Sequence, residues 1–345
     1  MSQFNVNEHP HKRLNILTNS WILVSPHRAK RPWLGQTSKV NAEPGPSFDK
    51  NCYLCPTNAR INGEKNPNYD SIYIFNNDFP AVLESQPKNG PSDLDLLVDT
   101  SDVDPDLFQI KSVRGKCQVI CYSPNHSVTM ADMQQDQIET VVRAWIKIYA
   151  NLSPPQSLID SSAIGYIQIF ENKGAEMGCS NPHPHGQVWA LELVSQQVSR
   201  EIQEFKKFEK AKCKCLLCTY LKTELSTSKT TEMHRIVYEN ENFVVLVPFW
   251  AVWPFETMIL PKHHMSSLFD LVSTNQNQKS LVAGQTYDTI DDFLNKQPNT
   301  LVADFANSLK VLTSKYDKLF GCSFPYSMAQ RDLTPEQAAQ RLRDL

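Results

Sequence analysis

The segment best equipped for chemistry places two histidines and a glutamine at alternate positions, within His183-Pro184-His185-Gly186-Gln187. Successive side chains of an extended strand point to opposite faces, so the three polar groups are predicted to share one face. A neutral imidazole has a free lone pair at neutral pH and attacks phosphorus without a separate activating base. The pattern therefore indicates transfer of a phosphorus-containing group, and a strand edge with solvated histidines is the plainer alternative.

His185 is the candidate nucleophile of this segment. Its attack on phosphorus gives a phosphoramidate, which is reactive enough to pass its group onward. Gln187 can donate its amide to a non-bridging phosphate oxygen and stabilise charge in the transition state. Because glutamine does not titrate, it offers no proton for attack by water, and this favours transfer to an acceptor over hydrolysis.

A C-x-x-C pair, Cys52 and Cys55, predicts a metal site. A turn with this spacing presents two thiolates to one ion, as in the first half of a tetrahedral zinc site. His126 is predicted to end one strand and His183 to begin another, so both can reach the turn in a paired sheet. These four residues predict a closed, structural zinc site, with buried thiols as the alternative.

A second C-x-x-C pair, Cys215 and Cys218, follows Cys213 and has His263 or His264 as candidate third ligands. The sequence shows no fourth ligand. A degenerate copy of the first site and a working metal site therefore remain open alternatives.

Basic residues follow a short apolar strand predicted at 21–24. Arg28, Lys30 and Arg31 place three cations within four residues. Guanidinium groups bind phosphate oxygens in pairs, so a phosphate clamp is one interpretation and a solvated basic turn is the other. After the next predicted strand, Asn77 and Asp78 lie in a turn whose side chains can hold hydroxyl groups.

Composition limits the class of protein. The 345 residues are 41% hydrophobic, with a formal net charge of −3, so a sizeable core is expected and binding to nucleic-acid backbone has no support. No stretch of about 18 apolar residues and no signal-peptide core occurs. We therefore expect a soluble, cytoplasmic protein with reduced thiols and no membrane partner.

The order of predicted elements in residues 1–195 recurs in residues 196–345, which indicates an internal duplication. In both halves a C-x-x-C pair precedes strands and a long helix, predicted at 133–150 and 302–319. A polar insertion at 274–300 precedes the second of these helices. After Met328 a second His-x-His strand is expected, but the sequence predicts a capped terminal helix from Ala329, so the second repeat is truncated.

The chain resembles the galactose-1-phosphate uridylyltransferase family of the histidine-triad superfamily. The motifs that carry the resemblance cover most of the chain: Ser25–Trp33, Cys52–Cys55, Asn76–Phe79, Cys121–His126, Phe170–Gln187, Val247–Glu256 and Cys322–Met328. The resemblance implies an α+β, histidine-triad-like duplicated fold, with an antiparallel half-barrel sheet flanked by helices and pairing as a homodimer. It also implies exchange of UMP between UDP-glucose and galactose 1-phosphate, by a ping-pong route through a uridylyl-histidine.

Matched motif by motif, the resemblance implies that His185 is the nucleophile, that Gln187 holds the phosphate, and that zinc lies on Cys52, Cys55, His126 and His183. It implies substrate contacts from Arg28, Arg31, Asn77, Asp78, Asn172, Cys179, Ser180 and Gln330.

The departure from the family pattern lies after Met328. The family segment that supplies a second His-x-His strand and three ligands of a second metal, iron or zinc, is missing here. Only Glu201 matches the fourth ligand, so that site is expected to be incomplete. We expect an unpaired sheet edge and a destabilised product.

Three functions follow from the sequence. The first is the uridylyltransferase reaction, and the second is a related dinucleotide phosphorylase or adenylyltransferase of the same superfamily. The third is a catalytically impaired, zinc-stabilised protein that binds nucleotide or a partner chain without turnover.

Overall fold

The computed structural model describes residues 4–30, 45–85, 112–152, 164–227, 234–272 and 300–333, and the statements below concern these ranges. The strands are β1 (His11–Asn15), β2 (Ser20–Val24), β3 (Tyr73–Asn76), β4 (Gly115–Cys121), β5 (Tyr166–Lys173), β6 (His185–Leu191), β7 (Ile236–Glu239), β8 (Phe243–Leu246), β9 (Met258–Pro261) and β10 (Tyr326–Leu333). The helices are α1 (Gln135–Leu152), α2 (Gln196–Lys212), α3 (Leu216–Ser226) and α4 (Thr300–Phe320).

These strands form three open antiparallel sheets. A hairpin joins β1 and β2, a five-stranded sheet has the order β10-β5-β6-β4-β3, and a three-stranded sheet has the order β7-β8-β9. Together with the flanking helices they confirm the predicted α+β class with antiparallel sheets. No helix among the described residues has the length and apolar character needed to cross a bilayer.

The main core lies between the five-stranded sheet and two helices. The apolar positions of α1 recur every three or four residues, and Val142, Trp145 and Tyr149 are almost completely buried. α4 adds Val302 and Ala306 to the same cluster, which also contains apolar residues of β4, β5 and β6. Residues from both halves of the chain therefore share one core, which fixes the sheet beneath the candidate site.

β6 carries the candidate nucleophile and lies between β4 and β5. His185 is opposite Cys121 of β4, and Gln187 is opposite Val119 of β4 and Phe170 of β5. Val188 and Ala190 are buried in the core, as alternation requires. His185 and Gln187 consequently occupy the face of β6 that points away from this core, as the sequence predicts.

His183 lies two residues before β6, which begins at His185. Pro184 has no N–H group and cannot donate to a ladder, although its carbonyl still accepts from Tyr122 N at 2.9 Å. His183 is 99% buried, in the extended segment before the strand. The strand therefore begins two residues later than the sequence predicts.

The described chain ends in a strand, where the sequence predicts a helix from Ala329. β10 pairs with β5 along its whole length, from Tyr326 opposite Lys173 to Leu333 opposite Tyr166. The helix signal is local, whereas the edge of β5 carries a row of backbone groups that need hydrogen-bond partners. The helix prediction is wrong as far as Leu333, and residues 334–345 lie outside the described ranges.

The three-stranded sheet of the second half has fewer strands than the five-stranded sheet built on the first half. In the five-stranded sheet β4 has a neighbour on each side, β3 and β6. β9, which corresponds to β4 in the predicted duplication, pairs only with β8 within the described residues. The insertion predicted at 274–300 lies outside these residues except for Thr300, which begins α4.

Candidate active site and metal centre

Four buried side chains, Cys52, Cys55, His126 and His183, converge on one point. Their ligand atoms all lie within 4.8 Å of one another. Cys55 Sγ is 3.5 Å from His126 Nδ1 and 3.6 Å from His183 Nδ1. With the usual zinc bond lengths to sulfur and nitrogen, the S···N edge of a tetrahedron is about 3.5 Å. The cluster therefore has the donor set and the spacing of a closed tetrahedral metal site.

Groups around this cluster determine which nitrogen of His183 faces it. His183 Nε2 donates to the Ser123 carbonyl at 2.9 Å and lies 3.1 Å from Tyr69 Oη. The lone pair is then on Nδ1, toward the cysteines. Burial, with a further contribution from nearby His126, lowers the pKa of His183 to about 4, so the ring is neutral. A neutral imidazole with its second nitrogen hydrogen-bonded is the usual arrangement of a metal ligand.

Asn181 connects the cluster to the nucleophile segment. Its Nδ2 donates to Cys52 Sγ at 3.4 Å, and its Oδ1 accepts from His183 N at 3.0 Å. Asn181, Ser123 and Tyr69 are not among the residues that the sequence predicts for the cluster. Only Asn181 has a local signal, its place two residues before His183.

His185 is held in the opposite tautomer. Its Nδ1 donates to the His183 carbonyl at 2.8 Å, and because a carbonyl only accepts, the proton must be on Nδ1. Burial lowers the pKa of His185, and the bond to the carbonyl partly opposes this shift. The ring is therefore neutral at pH 7, with its lone pair on Nε2, as a nucleophile requires.

A small polar cleft lies along β6 and the loop that precedes it. It brings together five residues predicted to form the site, and it is lined by Phe170, Asn172, Gly178, Cys179, Ser180, His185, Gly186 and Gln187. Gly178 has a φ of 78°, which turns the chain sharply just before Cys179. The cleft thus places amide, hydroxyl and thiol groups around one imidazole, which suits a phosphate-bearing substrate.

Gly186 allows β6 to approach its neighbours closely. A Cβ atom at this position would overlap the Tyr122 hydroxyl and lie 3.1 Å from the Phe170 carbonyl oxygen. Any larger residue would push the strand away from Tyr122. The glycine between His185 and Gln187 therefore has a packing role that also sets the position of both side chains.

Two predicted site residues, Asn77 and Asp78, do not line this cleft. Asp78 accepts hydrogen bonds from Arg60 at 3.1 Å and Asn62 at 2.9 Å, and Asn77 Oδ1 accepts from Phe79 N. Both follow β3, which β4 separates from β6, and two strand spacings amount to roughly 10 Å. The structure gives these side chains local partners.

The remaining predicted residues are dispersed. Arg28 is exposed in a short helix after β2, and Arg31 lies outside the described residues. Gln330 is on β10 opposite Ile169, and its Oε1 is buried without a hydrogen-bond partner among the described residues. None of the three lines the cleft in the part of the chain that the structure describes.

Glu201, predicted as the remnant of a second metal site, is buried on α2 and accepts a hydrogen bond from Gln197 at 2.9 Å. Within the described ranges it belongs to no group of three or more candidate ligands. A single carboxylate provides too few ligands for a metal.

Comparisons with known proteins cover almost the whole chain. A family model described as the N-terminal domain of galactose-1-phosphate uridyl transferase matches residues 2–195, and the C-terminal domain model of the same family matches residues 201–329. The galactose-1-phosphate uridylyltransferase of Kluyveromyces lactis is 43% identical over 326 residues, which cover 94% of this chain and 78% of that protein.

The Saccharomyces cerevisiae galactose-1-phosphate uridylyltransferase is 39% identical over 390 aligned positions, covering 99% of this chain and 96% of the yeast protein. That alignment is longer than this chain, so the yeast protein has segments without a counterpart here.

Solved structures agree at the level of the fold. A uridylyltransferase structure superposes with a TM-score of 0.60 at 24% identity, covering 94% of this chain and 81% of the other. An ADP-glucose phosphorylase from Arabidopsis thaliana also has a TM-score of 0.60 at 24% identity, with 95% and 85% coverage.

Proposed function

This chain belongs to the galactose-1-phosphate uridylyltransferase family, and from that premise we propose that it transfers UMP from UDP-glucose to galactose 1-phosphate. The products are glucose 1-phosphate and UDP-galactose. The observation that carries the proposal is the tautomer of His185, which places an unprotonated Nε2 beside the polar groups of the cleft. Such a nitrogen can attack phosphorus directly.

In the first half-reaction, His185 Nε2 attacks the α-phosphorus of UDP-glucose. A P–N bond forms as the bond between that phosphorus and the bridging oxygen breaks, and glucose 1-phosphate leaves with the electron pair. The imidazole becomes positively charged, and the His183 carbonyl, which accepts from Nδ1, stabilises that charge. In the second half-reaction, a phosphate oxygen of galactose 1-phosphate attacks the same phosphorus and regenerates the neutral ring.

Gln187 is proposed to donate its amide to the non-bridging oxygens of the transferred group in both half-reactions. Asn172, Cys179 and Ser180 line the same cleft and are proposed to contact the nucleotide. Contacts from Arg28, Arg31, Asn77, Asp78 and Gln330 are proposed from the family resemblance alone. For these five residues the support is sequence similarity, not proximity to His185.

We propose that zinc occupies the cluster of Cys52, Cys55, His126 and His183. Four protein ligands leave no open position, so the metal has a structural role. Through His183 it would fix the backbone whose carbonyl accepts from His185 Nδ1. The support is the fit of the S···N distances to a tetrahedron and the neutral ring of His183.

We also propose that residues 1–195 and 196–345 are two histidine-triad-like repeats. A homodimer in the cytoplasm is proposed on the same family basis.

The test is a half-reaction without acceptor. Protein incubated with UDP-glucose should release one equivalent of glucose 1-phosphate per chain and retain an acid-labile uridylyl group, which peptide mass spectrometry should find on His185. His185→Ala should abolish both, whereas His9→Ala, outside the cleft, should change neither.

Two outcomes would count against this function. Binding of UDP-glucose without release of glucose 1-phosphate would favour a non-catalytic nucleotide-binding protein. A stoichiometric burst of product from an adenine dinucleotide, with no reaction of UDP-glucose, would favour the related adenylyl-transfer chemistry.

A further inference from the structure

A second group of metal-ligating side chains lies in the other half of the chain. Cys215, Cys218 and His264 bring their ligand atoms within 4.8 Å of one another. Cys218 Sγ is 3.4 Å from His264 Nδ1, close to the roughly 3.5 Å edge of a tetrahedral zinc site. Unlike the first cluster, this group is at the surface, with His264 exposed and the two cysteines half-buried.

The elements that carry these residues are firmly joined. Leu221 of α3 packs with Val244 and Leu260 of the three-stranded sheet. Arg235, just before β7, donates to both carboxylate oxygens of Glu224 on α3, at 2.8 Å each. The helix that bears the cysteines and the sheet that leads to His264 therefore keep a fixed relation, which holds the two cysteines close to the short segment after β9 that carries His264.

Cys215 occupies an unusual position for its residue type. It is the N-cap of α3, where Ser, Thr, Asp or Asn normally accept from the helix N–H groups, and its side chain makes no capping hydrogen bond. A thiol at this position gives up the stabilisation that a serine would supply. Ligation of a metal by Cys215 provides a physical reason for the cysteine.

The two clusters occupy corresponding places in the fold. His126 follows β4 in the first half, and His264 follows β9 in the second. In the first half the fourth ligand, His183, comes from the segment before β6. No strand pairs with the second edge of β9 within the described residues, so the structure provides no counterpart of His183 there.

We propose that Cys215, Cys218 and His264 bind a second Zn²⁺ through three protein ligands, with the fourth position open to water or a small anion. On binding, the two thiols lose their protons to solvent, and the two thiolates neutralise the charge of the metal. The site differs from the buried cluster in exposure and in its open position. A chelator should therefore remove its metal first.

The experiment measures zinc per chain and its release. Protein purified under reducing conditions should hold two equivalents of zinc, and a mild chromogenic chelator should release one rapidly and one only on unfolding. Cys215→Ser with Cys218→Ser should lose the rapid equivalent and keep the slow one. Cys213→Ser is the matched control, because Cys213 is nearby in sequence but outside the cluster, and it should release both as the parent does.

Cobalt provides a second readout that is independent of enzyme activity. Co²⁺ added to protein stripped of the rapid metal should produce a thiolate-to-cobalt charge-transfer band, which His264→Ala should weaken and the double serine variant should abolish.

A single slow equivalent in the parent protein, with no cobalt band, would overturn the proposal. So would a Cys215–Cys218 disulfide that forms readily in air and is unaffected by added Zn²⁺, because it would identify a redox pair. Neither result depends on whether the protein transfers uridylyl groups.

Discussion

His183 and His185, on either side of Pro184, donate hydrogen bonds from different ring nitrogens. Each bond goes to a backbone carbonyl, and this fixes which nitrogen of each ring keeps its lone pair. Ser123 O accepts from His183 Nε2, and His183 O accepts from His185 Nδ1. The first bond leaves Nδ1 for a metal, and the second leaves Nε2 for phosphorus. One peptide carbonyl therefore connects the proposed metal ligand to the proposed nucleophile, so displacement of His183 should also disturb His185.

Gln187 is expected to act in the transition state. Gln187→Ala should lower kcat for uridylyl exchange by a factor on the order of 10² to 10³, the cost of removing one donor to a developing oxyanion, with a smaller change in KM for UDP-glucose. Steady-state kinetics of both half-reactions would show this. Gln118→Ala on neighbouring β4 is the control, and an equal loss there would indicate a general disturbance of the sheet.

Glu171 makes stability depend on pH. It is buried on β5, where Tyr326 Oη donates to it at 3.1 Å and Lys173 and Tyr122 are its charged or titratable neighbours. Burial raises its pKa from 4.5 to about 8, against the opposing effects of Tyr326 and Lys173.

Between these two pKa values the folded protein binds more protons than the unfolded chain, so this group makes the free energy of unfolding fall as pH rises from 4.5 to about 8. Urea unfolding across this range should show the decline, and Glu171→Gln should flatten it. Glu176→Gln, at an exposed position, should leave the slope intact. A slope that is the same in all three proteins would contradict the assignment.

At the scale of elements, β6 is central and β10 lies at an edge. A strand with neighbours on both sides holds its side chains accurately, which suits the proposed nucleophile. β10 satisfies the free edge of β5 and brings the end of the second half beside Asn172, where Ser327 Oγ donates to Asn172 Oδ1 at 2.6 Å. The cleft therefore receives support from both halves of the chain.

The ion pair between Glu224 and Arg235 attaches α3 to the three-stranded sheet. Its side chains are only 2% and 16% exposed. Glu224→Ala should destabilise the protein by about 3 to 5 kcal/mol, because it leaves a charge buried without its partner, as chemical denaturation would show. Glu204→Ala, which removes the more exposed pair with Lys207, should cost no more than about 1 kcal/mol. Similar losses of unfolding free energy in both variants would show that burial of the Glu224–Arg235 pair is not the cause of the destabilisation.

For the whole molecule, the shared core of α1 and α4 and the pairing of β5 with β10 join the two halves. The metal cluster lies outside this core. It ties the Cys52 turn to the segments before α1 and before β6, and the turn packs in a separate, smaller apolar cluster with Tyr69 and Phe75. A metal bound at this cluster would link three separate segments, so it should contribute to global stability as well as to the position of His183.

Cys55→Ala should remove the slow equivalent of zinc and lower the unfolding midpoint, because the binding free energy of a structural metal becomes folding free energy. Zinc analysis and thermal denaturation of the same samples would measure both effects. Cys117→Ala is the matched control, since Cys117 is also a buried cysteine but is outside the cluster. It should keep its zinc and lose only the packing of one side chain. Retention of both zinc equivalents by Cys55→Ala would refute the proposed ligand set.

Spacing along the chain determined the types of chemistry present: a C-x-x-C turn, a His-x-His array and a glutamine two residues on, each readable because its members are neighbours in sequence. It also located the helices α1 and α4 to within two residues, since their apolar periodicity is strong. It missed α3, which begins at the second cysteine pair without a conventional cap, and β1, whose polar residues show no alternation.

Only the tertiary structure decided what depends on distant partners. Ser123, 60 positions before His183, selects the nitrogen that faces Cys55. The edge of β5, about 155 positions before β10, turns a local helix signal into a strand. It also showed that His264, not adjacent His263, meets the second cysteine pair. Hydrogen bonding and ligation act over a few ångströms in space, and only folding brings such remote positions within that range.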